Sequence, residues 1–153
     1  MRRLAPSLRF ILAGLAGSLA HSALMLLKRQ FGLLPGFEPY VALQALLQDA
    51  LGPNLPAWSA LAASYLNGSI VIGFVFSRVY ARLPGRSGAA KGALFGLAIW
   101  VLMGAVAFPA LGLGPYGLHT GEPAAPLFSL LMLLVYGLAM GLAHARLTQR
   151  AKV

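Results

Sequence analysis

A chain of 153 residues in which 59% are apolar and only 10% charged cannot cover a water-facing surface, since a soluble domain carries about a quarter charged residues. Its mean hydropathy of +0.77 makes lipid the fitting solvent. The net charge of +9 would point to nucleic acid if it were spread over a folded surface, but the basic residues sit in short clusters between long apolar runs. That arrangement excludes nucleic acid as the expected partner and points to membrane lipid, with anionic headgroups as the counter-charge. The absence of cysteine rules out disulfides, thiolate metal sites and thiol nucleophiles.

Four stretches come near the roughly 20 apolar residues that a spanning helix needs. They run from Phe10 to Leu27, from about Ala57 to Ser77, from Gly92 to about Leu113, and from about Ala124 to His144, and none contains Asp, Glu, Lys or Arg. The expected fold is therefore all-α: a single integral membrane domain over residues 1–153, built as a four-transmembrane-helix bundle. Arg2, Arg3 and Arg9 precede the first span. Arg78, Arg82, Arg86 and Lys91 join the second to the third, and Arg146, Arg150 and Lys152 follow the fourth. Ten of the twelve basic residues thus share one side, while Glu38, Asp49 and Glu122 share the other. Positive loops face the cytoplasm, so both termini are expected inside. A rival reading takes the N-terminus as a signal peptide cut after Ser18-Leu19-Ala20, but the apolar run continues to Leu27, which favours a retained span.

Between the first two spans, Tyr40 to Leu51 reads as a short helix, with Pro39 suited to its first turn and Gly52-Pro53 ending it. Gln44, Gln48 and Asp49 gather toward one side and leucines toward the other, the pattern of an amphipathic helix in the first outer loop that lies on the membrane surface. Leu83-Pro84-Gly85-Arg86-Ser87-Gly88 forms a tight inner turn. The third span contains Trp100 and, near its outer end, Pro109, which kinks or ends the helix.

The chain also matches itself weakly. At an offset of 82, Gly14-Leu15-Ala16 meets Gly96-Leu97-Ala98; at an offset of 64, Gly73 meets Gly137 and Ala81-Arg82-Leu83 meets Ala145-Arg146-Leu147. A duplicated helix hairpin is the expectation, both copies oriented alike about an axis along the membrane normal. Small residues four apart, such as Gly14, Ser18 and Ser22 or Gly137 and Gly141, suit close helix packing.

Few residues offer chemistry. His21 lies twelve residues beyond Arg9, roughly 18 Å along a helix, near the bilayer centre, where an ionisable group is a functional candidate. Ser18 and Ser22 neighbour it, and Asn67 and Tyr65 are polar at mid-depth in the second span. These five form the candidate intramembrane polar site; the alternative is that they only bond between helices. His21, His119 and His144 fall at three depths, which does not fit a bis-histidine haem, and no cofactor or metal is expected. Nucleophile elbows, phosphate loops and paired carboxylates are absent from the sequence, so no enzyme is expected.

The stretch from Ala13-Gly14 through Lys28, the run Tyr80-Ala81-Arg82-Leu83-Pro84-Gly85, the run Lys91-Gly92-Ala93-Leu94-Phe95-Gly96-Leu97, and Pro109 followed by Gly112, Gly114 and Gly117 together resemble a bacterial family of small four-helix integral membrane proteins of unknown function. The resemblance implies a bacterial inner-membrane location and a retained first span, and brings no activity with it. The leading expectation is a non-enzymatic accessory or assembly component that acts through helix packing, in a homo-oligomer or a larger membrane complex. The alternative is a binding protein or transporter for a small molecule or lipid, with a pocket between the two hairpins near His21 and Asn67.

Overall fold

Apolar runs of this length form helices because the bilayer offers no partner for a bare backbone amide. The computed structural model describes residues 5–149, and five helices make up most of them: α1 (Pro6–Gln30), α2 (Pro39–Leu51), α3 (Ser59–Val79), α4 (Gly88–Ala110) and α5 (Ala125–Gln149). All but α2 are long and apolar enough to cross a membrane. The span boundaries expected from sequence agree within a few residues. No strand occurs among the described residues. Arg2, Arg3, Arg150 and Lys152 lie outside them. The remaining clusters stand at one end of the bundle: Arg9 near the start of α1, Arg78 to Lys91 around the α3–α4 turn, and Arg146 near the end of α5.

Close backbone approach holds each hairpin. In the first, Gly14 lies against Ser69 and Gly73 against Phe10; in the second, Gly96 lies against Leu133 and Gly92 against Gly137. At Gly92 and Gly137 a Cβ would run into the facing backbone, so only glycine lets α4 and α5 draw this near. α5 also packs along α1, whereas α3 and α4 make no extended contact. They meet at the basic end, where Phe76 and Phe95 lie 4.9 Å apart and Lys91 Nζ donates to the Tyr80 carbonyl at 2.8 Å.

The core is split. One cluster at the basic end comprises Ala13, Phe76, Phe95, Tyr136 and Met140. The other, at the opposite end, comprises Met25, Phe37, Phe108, Leu113, Ala125 and Met132. Between them two helices widen into π-helical turns, α3 at Asn67–Ile72 and α4 at Met103–Ala107. The second has a visible cause. Pro109 has no N–H and its ring crowds the carbonyl four residues back, and the widened turn just before it absorbs the misfit. As expected, α4 ends just past this proline, at Ala110.

The short helix expected between the first two spans is present as α2. Its Gln44 faces the protein: Gln44 Oε1 accepts the Ala60 N–H at 3.0 Å and Gln44 Nε2 donates to the Pro56 carbonyl at 3.1 Å. Gln44 thus serves as a cap for α3, which has no capping side chain of its own. Val41, Leu46 and Leu51 are exposed. Lys28, only 1% exposed, donates to Glu38 at 2.6 Å, and Glu122 accepts the Gly36 N–H at 2.9 Å. These bonds tie the chain between α1 and α2 to the bundle. The suggested cleavage point after Ala20 lies inside continuous α1.

Candidate functional site

The gap between α3 and α4 is a cavity. It encloses about 530 Å³ including its mouth and draws on every long helix: Ser18 and His21 from α1, Ser64, Asn67 and Gly68 from α3, Met103 from α4, and Tyr136 from α5. Each of these lies near the middle of its helix, so the cavity sits at mid-height. Ile72, Ile99 and Leu133 supply apolar wall, and Tyr40 reaches in from α2. A second, smaller space of about 450 Å³ shares His21, Tyr40, Ser64, Met103 and Leu133 and extends toward Phe108 and Met132.

The polar groups here are held rather than loose. Tyr40 Oη lies 3.1 Å from His21 Nδ1 and 3.4 Å from Ser22 Oγ, and the Tyr40 ring stands edge-on to the imidazole. His21 Nδ1 is therefore occupied, and no other hydrogen bond to the ring is formed among the described residues. Opposite, Tyr136 Oη donates to the Gly68 carbonyl at 2.8 Å. That carbonyl also accepts the Gly73 N–H five residues on, the pattern of the widened turn. The turn at Asn67–Ile72 thus lines the cavity and is held from across the bundle.

Three of the five residues singled out in the sequence line the cavity: His21, Ser18 and Asn67. Ser22 stands behind, as a partner of Tyr40. Tyr65 does not join them; its carbonyl accepts the Ser69 hydroxyl and its side chain lies outside the lining, because it projects from a different face of α3 than Ser64 and Gly68. Asn67 is exposed and its side chain makes no hydrogen bond among the described residues; its amide stands at the rim. Sequence reasoning missed Tyr40, Ser64 and Tyr136 as site residues. Tyr40 lies in a connecting segment, and nothing local signals that it turns back onto α1. Tyr136 carried a usable signal, a phenol inside a span that needs a partner.

Trp100, also inside a span, donates to Ser129 Oγ at 3.0 Å and lies tilted against Tyr116, with ring centroids 4.7 Å apart. It braces α4 against α5 and the turn that joins them, away from the cavity lining. No group of three or more His, Asp or Glu side chains placed to hold a metal occurs among the described residues.

Together these features define an all-helical bundle of four helices able to span a bilayer, with a mainly apolar cavity at mid-height that carries a few polar groups. The chain belongs to the DUF6789 family of unknown function, whose model matches residues 5–153. No curated protein and no solved structure matches the chain.

Proposed function

We propose that this protein binds an uncharged amphipathic small molecule, or the neutral part of a lipid, inside the membrane, in the cavity between α3 and α4. The observation that carries this is the cavity's lining. Hydroxyl, imidazole, amide and phenol groups meet apolar wall, and no Asp, Glu, Lys or Arg lines it. Widened helix turns recur at functional sites, and here one supplies Asn67 and Gly68 and the other Met103.

The two hairpins are read as copies of one unit. In support, the contact of Phe10 with Gly73 maps by the sequence offsets onto that of Gly92 with Gly137, and Gly14 with Ser69 maps onto Gly96 with Leu133. Two copies about an axis would make two equivalent contacts between hairpins, α1 with α5 and α3 with α4. The first is made and the second is open. The binding site on this reading is the interface that duplication left unclosed. We place the protein in a bacterial inner membrane with the basic end, and both termini, in the cytoplasm, supported by the positive-charge asymmetry.

The test is native mass spectrometry of the protein extracted gently from its host membrane. A retained small-molecule mass is expected, lost in Ser64→Leu, which fills the cavity, and weakened in His21→Leu. An unliganded mass with the wild-type protein, or a ligand indifferent to both substitutions, would refute the proposal. The second reading, an accessory component acting through helix packing, is favoured by Asn67, whose unbonded amide on an exposed face could bond a partner helix. That reading expects a stoichiometric second protein or second copy, released by Asn67→Leu.

A further inference from the structure

Three serines inside the spans spend their hydroxyl on their own helix. Ser69 donates to the Tyr65 carbonyl, Ser77 to the Phe74 carbonyl at 2.8 Å and Ser129 to the Pro126 carbonyl at 2.9 Å. Such local bonding is an ordinary alternative for a helical serine. Ser18 and Ser64 depart from it. Neither hydroxyl makes a hydrogen bond among the described residues, and both residues line the mid-height cavity. Ser18 Oγ lies close to where a Cβ on Gly68 would fall, so it reaches from α1 to the widened turn of α3.

His21 adds a third donor. Its Nδ1 lies 3.1 Å from Tyr40 Oη. A phenol is a stronger acid than a neutral imidazole N–H, so Tyr40 donates, Nδ1 accepts, and the ring proton is assigned to Nε2. Ser22 Oγ, 3.4 Å from the same phenol oxygen, then donates to it. Nε2 has no partner among the described residues. The unspent groups beside the held Tyr40–His21 and Tyr136–Gly68 pairs are therefore two hydroxyls and one imidazole N–H. Ile72, Ile99, Met103 and Leu133 supply apolar wall around them. Donors left unpaired in such surroundings cost free energy that an acceptor would recover.

We propose that the cavity takes an apolar carbonyl compound, a ketone, quinone or ester, whose carbonyl oxygen accepts from the His21 Nε2–H and the flanking serine hydroxyls. A carbonyl oxygen offers lone pairs and no proton, which matches a wall whose unspent groups donate. The inference rests on the mid-height cavity being a binding site, and it adds the chemical group that the site recognises.

The test titrates methyl nonyl ketone into the full chain in dodecyl maltoside, a detergent without a carbonyl, and follows the ketone stretch by infrared difference spectroscopy. Hydrogen bonding lowers that frequency, so a saturable band below the position in empty micelles is expected. His21→Phe keeps a ring and removes the N–H. This variant and Ser18→Ala/Ser64→Ala should each move the band back toward the empty-micelle position and weaken binding by about three- to tenfold. Ser77→Ala removes a hydroxyl already bonded within its own helix and should change nothing. Undecane and the matched secondary alcohol, at equal excess, should displace the ketone poorly. Saturable binding with an unshifted band, a lowered band indifferent to both cavity variants, or displacement by undecane or the alcohol as readily as by unlabelled ketone would overturn the carbonyl assignment and leave the cavity as a binding site. A host ligand without a carbonyl, retained in native mass spectrometry, would do the same. Absence of saturable ketone binding also overturns the assignment; it reaches the binding site itself only if no host ligand is retained either.

Discussion

Breaking the ion pair between Lys28 and Glu38 should have an effect that depends on which partner is removed. Lys28 is 1% exposed and Glu38 24%, with 2.6 Å between Nζ and Oε1. Glu38→Gln strands a buried ammonium in the last turn of α1. Removing one partner of a buried pair costs about 3–5 kcal/mol, and the partial exposure of Glu38 lowers the expected loss to about 2–4 kcal/mol. Lys28→Met leaves a carboxylate that still reaches water and has Arg29 Nε at 3.7 Å, so roughly 1 kcal/mol is expected. The double variant removes both charges and replaces the buried ammonium with an apolar side chain of similar length. It should recover most of what Glu38→Gln lost, because well-packed apolar replacements of buried pairs are often neutral. The assay is reversible unfolding in mixed micelles with increasing dodecyl sulfate, followed by circular dichroism, for all four proteins of the cycle. Equal losses for the two single variants, or a double variant that loses their sum, would refute the claim that burial of Lys28 is what makes the pair matter.

Three further outcomes follow from the packing. Gly137→Leu drives a side chain into the Gly92 and Gly96 backbone and should abolish the monodisperse species on size exclusion in mild detergent, since overpacking by less than this costs about 1–3 kcal/mol. Gln44→Ala frees the Ala60 N–H; a lost cap of about 1 kcal/mol should show as faster amide exchange over the first turn of α3, while Gln48→Ala, which gives up only a 3.5 Å contact, leaves it unchanged. Tyr136→Phe removes the bond to the Gly68 carbonyl and should lower stability by roughly 0.6 kcal/mol in the same dodecyl sulfate assay, with faster exchange confined to the Asn67–Ile72 turn.

The four long helices, their approximate limits and the gathering of basic residues at one end were legible in the sequence. Each depends on what single residues gain or lose on leaving water, and those terms add along a run without regard to the rest of the fold. His21 and Asn67 stood out for the same reason, as polar groups in apolar surroundings. What the tertiary structure decided was which of these groups meet. Tyr65 and Asn67 are two residues apart, yet one lines the cavity and the other does not, because helical rotation and the widened turn set their faces. Tyr40 comes to His21 through the path of the connection between α1 and α3, which is pinned by Lys28 to Glu38 and by Gln44 to Ala60. The cavity itself is a relation between helices: α4 closes on α5 through facing glycines, α3 closes on α1, and α3 and α4 meet only at the basic end. Hydropathy has no term for a gap between two apolar helices, since either face is as content against lipid as against protein.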